Sequence, residues 1–402
     1  MKNVLVMTTT FPRWKKDVTP SFVFTLSNLL AKKFNVTVLA PHSHKAAKHE
    51  KMGSLKVIRF SYFLPEKYQK IAYGAGMLPN VKGSILAKMQ LPGFLASQIS
   101  SAKNIIEKEK TGLMHSHWLI PSGLIGALLK KKYKIPLIVT IHGSDLFPLK
   151  NKLFRAMQKY VVKNADILTI NSRAAQNELV SRFPAVKNKV KLVPMGVDTN
   201  IFRPKSISIR SKFKKYKNKR IILFAGRLNE QKGVEYLIKA MPNVISEVKN
   251  SKLLVIGEGD YKKYLEKAAS GMKLDGYVEF LGSKSQAELA DYYNLADVFV
   301  LPSVTVNIGT EAFGLVLLEA MACGACVIGS SSGGIKDIIK NNANGLIFQE
   351  KNSKELALKI INVLKDNKLR ERLGKNGLIY AKHYKWDKIS KKFLEIYSRL
   401  LK

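Results

Sequence analysis

The chain has 402 residues, 46% hydrophobic and 24% charged, which is apolar material for two globular domains rather than one. No stretch reaches the roughly eighteen apolar residues of a membrane-spanning helix, and two cysteines make no disulfide framework. The 68 lysines and arginines against 29 acids give a formal charge of +39, which calls for an anionic partner: nucleic acid, a membrane surface or a polyanionic substrate.

Taken in chain order, the run MKNVLVMTTTFPRW is too short in apolar residues for a signal peptide and reads as a first strand, 4–8. A helix is predicted over 22–32, then strands over 36–39 and 57–60. Residues 59–95 follow, broken by proline and glycine. They mix Tyr62, Phe63, Tyr68, Tyr73 and Phe94 with Lys67, Lys70, Lys82 and Lys88. Aromatic rings beside lysines suit an interface with anionic lipid. Helical patterns over 99–110, 121–131 and 153–163 then alternate with strands over 113–115, 137–141, 167–170 and 190–193. Near-continuous apolar strands separated by helices are the pattern of a parallel sheet covered on both faces.

Residues 204–219 lack an apolar period, are rich in Lys and Ser, and are read as a linker. A second series follows, with strands over 221–225, 253–256, 278–281, 298–301, 327–328 and 346–348 and helices over 234–240 and 286–294. A last helix is predicted over 387–401. The expectation is an α/β chain of two Rossmann-like, doubly wound domains, 1–203 and 220–385, with ligands outside the carboxyl ends of the strands and a cleft where the domains face each other.

The chemistry gathers in EAFGLVLLEAMACGACVIGSSSGG, residues 311–334. Glu311 and Glu319 bracket seven residues. Phe313 and Gly314 open an apolar helical run from Leu315, which Gly324 ends. A loop entering a helix at a glycine offers backbone N–H groups and the positive helix end to a phosphate. Glu319, two turns in, is placed to accept hydrogen bonds from a diol. Earlier, FAGRLNEQKG follows the first strand of the second series. Gly226 permits a tight turn, and Arg227 and Lys232 are cations suited to phosphate oxygens. Cys323 and Cys326 form a C-x2-C pair without the further soft ligands a zinc site requires.

The 311–334 run resembles the Glu-x7-Glu signature of the retaining glycosyltransferases of family 4, which have the two-domain GT-B fold. Ala312 stands where the family usually has glycine, and Cys326 where it has proline. Further landmarks recur in order along nearly the whole chain: an FPRW-type first loop, MHSHW with His115 and His117, HGSD from His142, the turn Gly196 to Asp198 before Phe202–Pro204, GRLNEQKG, and Gly282-Ser283. The resemblance implies that Glu319 grips a ribose diol. It implies that Glu311 and the backbone of Phe313, Gly314 and Leu315 hold the sugar and β-phosphate. Arg227 and Lys232 would neutralise the leaving diphosphate, His142 would orient the sugar, and the backbone at Gly282 and Ser283 would read the base. Asp17, Thr19 and Ser21 would approach sugar or acceptor. The final helix, 386–402, would cross back to the first domain.

The function so implied is transfer of a hexose from a UDP- or GDP-linked sugar to an acceptor hydroxyl on a lipid-linked or cell-envelope glycan. The setting would be cytoplasmic, peripheral at the inner face of the membrane. No cofactor is expected. No Asp-x-Asp occurs in the sequence, so Arg227, Lys232 and the helix start at Gly314 stand in for a metal. Two rivals are a GT-B sugar-nucleotide epimerase, which needs no acceptor, and a basic nucleic-acid-binding protein. Against the latter, the lysines are spread along the chain, no nucleic-acid-binding motif appears, and no nucleic-acid partner is expected.

Overall fold

Strands form where the apolar, β-branched runs lie. In the computed structural model, which describes residues 1–401 apart from 16, 18, 20, 75, 150, 206–208 and 308, they make two sheets. The chain divides into two units. Met1–Asn171, Ala175–Pro194 and Trp386–Lys402 make the first, and Ser172–Ala174 with Met195–Lys385 make the second.

The first unit holds β1 (Asn3–Met7), β2 (Asn35–Pro41), β3 (His49–Met52), β4 (Leu55–Phe60), β5 (Leu113–His117), β6 (Leu137–Ile141), β7 (Ile167–Ile170) and β8 (Val190–Leu192), in the order β3-β4-β2-β1-β5-β6-β7-β8. All pairings are parallel except β3 with β4. Strand order reverses between β1 and β5, so the loops leaving those two strands diverge and open a crevice at the carboxyl edge. The C-terminal helix Trp386–Leu400 buries Trp386, Ile389, Phe393 and Tyr397. Phe34 packs on Tyr397 with ring centroids 5.4 Å apart.

The second unit holds β9 (Arg220–Ala225), β10 (Ser251–Ile256), β11 (Val278–Phe280), β12 (Val298–Leu301), β13 (Cys326–Ser330) and β14 (Leu346–Phe348), all parallel, in the order β11-β10-β9-β12-β13-β14. Its switch point lies between β9 and β12. One core runs through both faces, with Phe224, Leu254, Phe299, Val327 and Ile328 in the sheet layer.

Several readings are corrected. Residues 59–95 are largely ordered: helices Met77–Gly83 and Ile85–Met89 precede the long helix Leu91–Glu109. Tyr62, Tyr73 and Phe94 are buried rather than interfacial. Phe94 meets Phe60 and Tyr62 edge-on at 5.0 and 5.1 Å, and the Tyr73 hydroxyl donates to the Pro41 carbonyl at 2.8 Å. Ala75 lies outside the described residues. Within 204–219, where 206–208 also lie outside them, Ile209–Lys212 is helical, Tyr216 is buried, and the Arg210 guanidinium meets Asp297 at 2.8 Å. This stretch packs on the second unit because Phe213 and Tyr216 join its core and Arg210 finds Asp297 there. β3 has no counterpart among the predicted strands.

Candidate functional site

The second unit's switch point gathers the loops after β9 and β12. Lys232 leaves the β9 loop at the end of a short 3-10 turn, Glu230–Lys232, capped by the Asn229 side chain. Its ammonium lies 2.6 Å from Glu311 Oε2 in the β12 loop. Ser303, just past β12, donates its hydroxyl to the same oxygen at 2.8 Å. The two loops are tied again by Gln231, whose amide donates to the Thr310 carbonyl at 2.5 Å and whose carbonyl accepts from Val304 N–H at 2.8 Å. On the far side, Gly334 N–H donates to the Glu311 carbonyl at 2.8 Å. Gly333 has φ +46°, and a Cβ there would stand 2.1 Å from that carbonyl oxygen, so only glycine fits.

Glu311 is buried, which alone would raise its pKa. The charge and hydrogen bond of Lys232, the Ser303 hydroxyl and the Phe313 N–H outweigh that burial and hold it below the ordinary carboxylate value. Lys232 retains 20% of its side-chain surface, so its ammonium has donors left for a second anion. Arg227 is exposed beside the same β9 loop, within electrostatic reach of Asp260. Gly226 N–H is bonded to the Ile256 carbonyl at 3.0 Å, which sets the turn that Arg227 leaves.

The helix Leu315–Ala322 starts at Gly314, which has φ 88° and offers no side-chain cap. The N–H groups of Leu315 and Val316 are therefore available to an anion beside Glu311, while that of Leu317 donates to the Gly314 carbonyl at 2.9 Å. The helix is apolar on nearly all sides and buried, so its one carboxylate, Glu319, is buried too. Burial raises that carboxyl to about 7, against the lowering effect of the Tyr293 hydroxyl, which donates to Oε2 at 3.0 Å. Glu311 and Glu319 thus occupy contrasting settings, one paired with a cation and the other with a phenol.

Gly282 lies past the edge strand β11, two strands from β9, with φ +67°; Ser283 beside it is exposed. Cys323 and Cys326 are buried free thiols pushed up to about 12 by burial. Val197 of the Gly196–Asp198 turn donates to the Tyr384 carbonyl at 2.8 Å, and Asp198 caps Asn200 N–H at 2.9 Å, so that turn is structural.

In the first unit His142 follows β6, half-buried, with its ring 4.6 Å from Trp118 and 5.0 Å from Phe22. The buried Asp145 carboxylate shapes this turn by accepting backbone N–H bonds from Leu119, His142 and Gly143 at 2.6, 3.2 and 3.0 Å. Burial raises its pKa to about 6, against those bonds. His117 Nδ1 lies 3.0 Å from His142 Nε2. His115 bridges the Tyr397 hydroxyl at 2.7 Å and Thr140 Oγ1 at 2.6 Å. Burial lowers the pKa of all three imidazoles, to about 3 for His115 and His142. Asp17, expected to approach sugar or acceptor, pairs with Arg13 of its own loop at 2.8 Å; residues 16, 18 and 20 of that loop lie outside the described residues. Burial would raise Asp17, but the Arg13 hydrogen bonds hold it well below the carboxylate range.

Sequence reasoning missed Ser303 and Tyr293. A buried tyrosine hydroxyl requires a partner, so the inward position of Tyr293 on the helix Gln286–Leu295 was the available signal. Ser303 carries none.

Solved structures share this fold along the whole chain. Sucrose-phosphate synthase of Thermosynechococcus elongatus superposes with TM-score 0.82 at 23% identity, over 100% of this chain and 99% of its own. The Anabaena protein HepE, in complex with UDP-glucose, gives 0.77 at 18%, over 99% and 100%. Two Rossmann-like parallel-sheet domains of this kind define the GT-B class. Residues 20–201 match Glycosyltransferase Family 4, and residues 205–379 match Glycosyl transferases group 1. An uncharacterized glycosyltransferase of Methanocaldococcus jannaschii is 32% identical over 347 residues, 86% of this chain and 91% of its own. A D-inositol 3-phosphate glycosyltransferase of Nocardioides sp. is 27% identical over 344 residues, 78% of this chain and 73% of its own. The chain belongs to the family 4 glycosyltransferases and is a transferase enzyme.

Proposed function

We propose that this enzyme is a retaining, metal-independent hexosyltransferase that moves a hexose from a UDP- or GDP-linked sugar to an acceptor hydroxyl. The observation that carries the reading is the meeting of Lys232 and Glu311 at the second unit's switch point, beside a helix start without a side-chain cap. Breaking the anomeric bond leaves negative charge on the diphosphate. Lys232, Arg227 and the N–H groups at Phe313, Gly314 and Leu315 oppose that charge where it grows, which is where stabilisation raises turnover. Lys232 also keeps Glu311 ionised and fixed, so that Glu311 accepts hydrogen bonds from the hexose. Glu319 accepts from the ribose diol, Gly226 sets the approach of Arg227, and Gly282 and Ser283 face the base. His142 hydrogen-bonds a hexose hydroxyl.

The test is saturation-transfer NMR of the protein against UDP- and GDP-sugars, with the matching free diphosphate as competitor. Saturation of nucleoside and hexose protons from one donor, lost on competition, supports the reading. No transfer to any nucleotide sugar refutes it.

The acceptor we propose is a lipid-linked or cell-envelope glycan, reached from a peripheral position on the inner face of the membrane. No helix among the described residues is long and apolar enough to cross a membrane. Leu64, Tyr68, Ile85 and Met89 are exposed, in the same stretch as exposed Lys67, Lys70, Lys82 and Lys88, and the chain carries +39. Apolar side chains with lysines, on so basic a protein, match an anionic lipid surface.

A further inference from the structure

His117, which ends β5, and His142, which follows β6, share one hydrogen bond between His117 Nδ1 and His142 Nε2 at 3.0 Å, with nearly parallel rings 5.2 Å apart. Two neutral imidazoles joined this way have two proton arrangements. In one, His117 carries its proton on Nδ1 and donates it, and His142 carries its own on Nδ1. In the other, His142 donates from Nε2, and His117 carries its proton on Nε2.

The surroundings choose between them. His117 Nε2 is buried and has no hydrogen-bond partner. The second arrangement would put an N–H at that position with nothing to accept it, and buried orphan N–H groups are rare. The first leaves only a lone pair there. His117 is fixed from the other side by His115, whose ring lies 4.4 Å away and is itself tied at both nitrogens. The Asp145 carboxylate accepts from the His142 backbone, not its ring. Among the described residues no protein group bonds His142 Nδ1, so that proton is free to meet a ligand.

We propose that His117 is a positioning residue that fixes the tautomer of His142, so that His142 presents Nδ1–H as a donor to a hexose oxygen. This rests on the hexose-binding reading of His142. It also makes His142 a hydrogen-bond donor at neutral pH without a positive charge, which suits a ring that builds up positive charge as the anomeric bond breaks. His142 is then selective for a hydroxyl or other oxygen acceptor rather than for a cation.

Long-range 1H–15N correlation spectra of histidine-labelled protein assign the protonated nitrogen of each ring. The expected result is Nδ1 protonated and Nε2 bare in both His117 and His142. A protonated His142 Nε2 overturns the proposal. His117→Leu removes the donor and is expected to mix the His142 tautomers and lower turnover about tenfold, the worth of one hydrogen bond. His117→Gln, whose amide donates, is expected to keep the His142 signal and most of the turnover, and it serves if the leucine variant fails to fold. An unchanged His142 spectrum in both variants refutes the role of His117. The hexose reading fails separately: His142→Ala then leaves turnover unaltered, whatever the tautomer.

Discussion

Replacing Glu319 by glutamine tests the buried helix directly. Glu319 has its carboxyl raised from an ordinary value of 4.5 to about 7 by burial. Its folded-state pKa therefore lies above its unfolded one. The folded chain holds a proton that the unfolded chain releases between those values, so stability falls as pH rises from 4.5 through about 7. Glutamine has the same shape, still accepts from the Tyr293 hydroxyl, and never titrates. At about 1.4 kcal/mol per pH unit, the advantage of Glu319→Gln over wild type grows from near zero at pH 4 to roughly 1.4 kcal/mol at pH 5.5 and roughly 3 kcal/mol at pH 8. For a unit of this size that is about 8 °C in the second unit's melting transition at pH 8. Calorimetric melts at the three pH values measure it. The same variant is expected to bind nucleotide diphosphate about tenfold more weakly at pH 8, because the charged acceptor for the diol is gone. A melting temperature no higher than wild type at pH 8, or a gain independent of pH, refutes a carboxylate whose ionised form burial penalises.

Lys232→Ala leaves Glu311 buried without its cation and is expected to destabilise the second unit by about 3 kcal/mol in urea unfolding. Combined with Arg227→Ala it is expected to cut turnover about a hundredfold or more while shifting donor affinity far less, because the opposed charge is largest in the transition state; near-normal turnover at saturating donor counts against this. Turnover is expected to persist in excess EDTA, and its loss with rescue by magnesium or manganese would overturn the metal-independent mechanism. Sedimentation with anionic but not neutral vesicles is expected, weakened when Lys67, Lys70, Lys82 and Lys88 become glutamine, at about 1 kcal/mol per lysine at most; equal sedimentation with both vesicle types refutes the docking surface.

What the sequence made legible follows from local chemistry. β6, β7, β12 and β14 are short β-branched or apolar runs bounded by turns, and their predicted and observed limits coincide. β3, with sequence HEKM, has no apolar face, because it is an exposed edge strand completed by its pairing with β4. The helices Met77–Gly83 and Ile85–Met89 contain or adjoin proline and glycine, which read as breaks, and tertiary packing prevails over that signal. Glu311, Glu319 and Lys232 stood out by spacing and by the loops they end. The contacts that set their chemistry did not. Ser303 beside Glu311, Tyr293 beside Glu319, and His117 against His142 are partnerships made when separate strands and helices come together. No periodicity along the chain records them.

The first unit is assembled from stretches that lie on either side of the second unit in the sequence. Its C-terminal helix supplies Tyr397, which the His115 imidazole binds, and Phe393, which stacks on the same ring at 5.6 Å. During synthesis this helix leaves the ribosome after the whole of the second unit. Until it does, the seat formed by Phe34 and His115 stays open, and a nascent chain or one truncated before Trp386 exposes it to chaperones and proteases. The second unit ends at Lys385 and is by then fully translated. The unit begun first is therefore the one finished last.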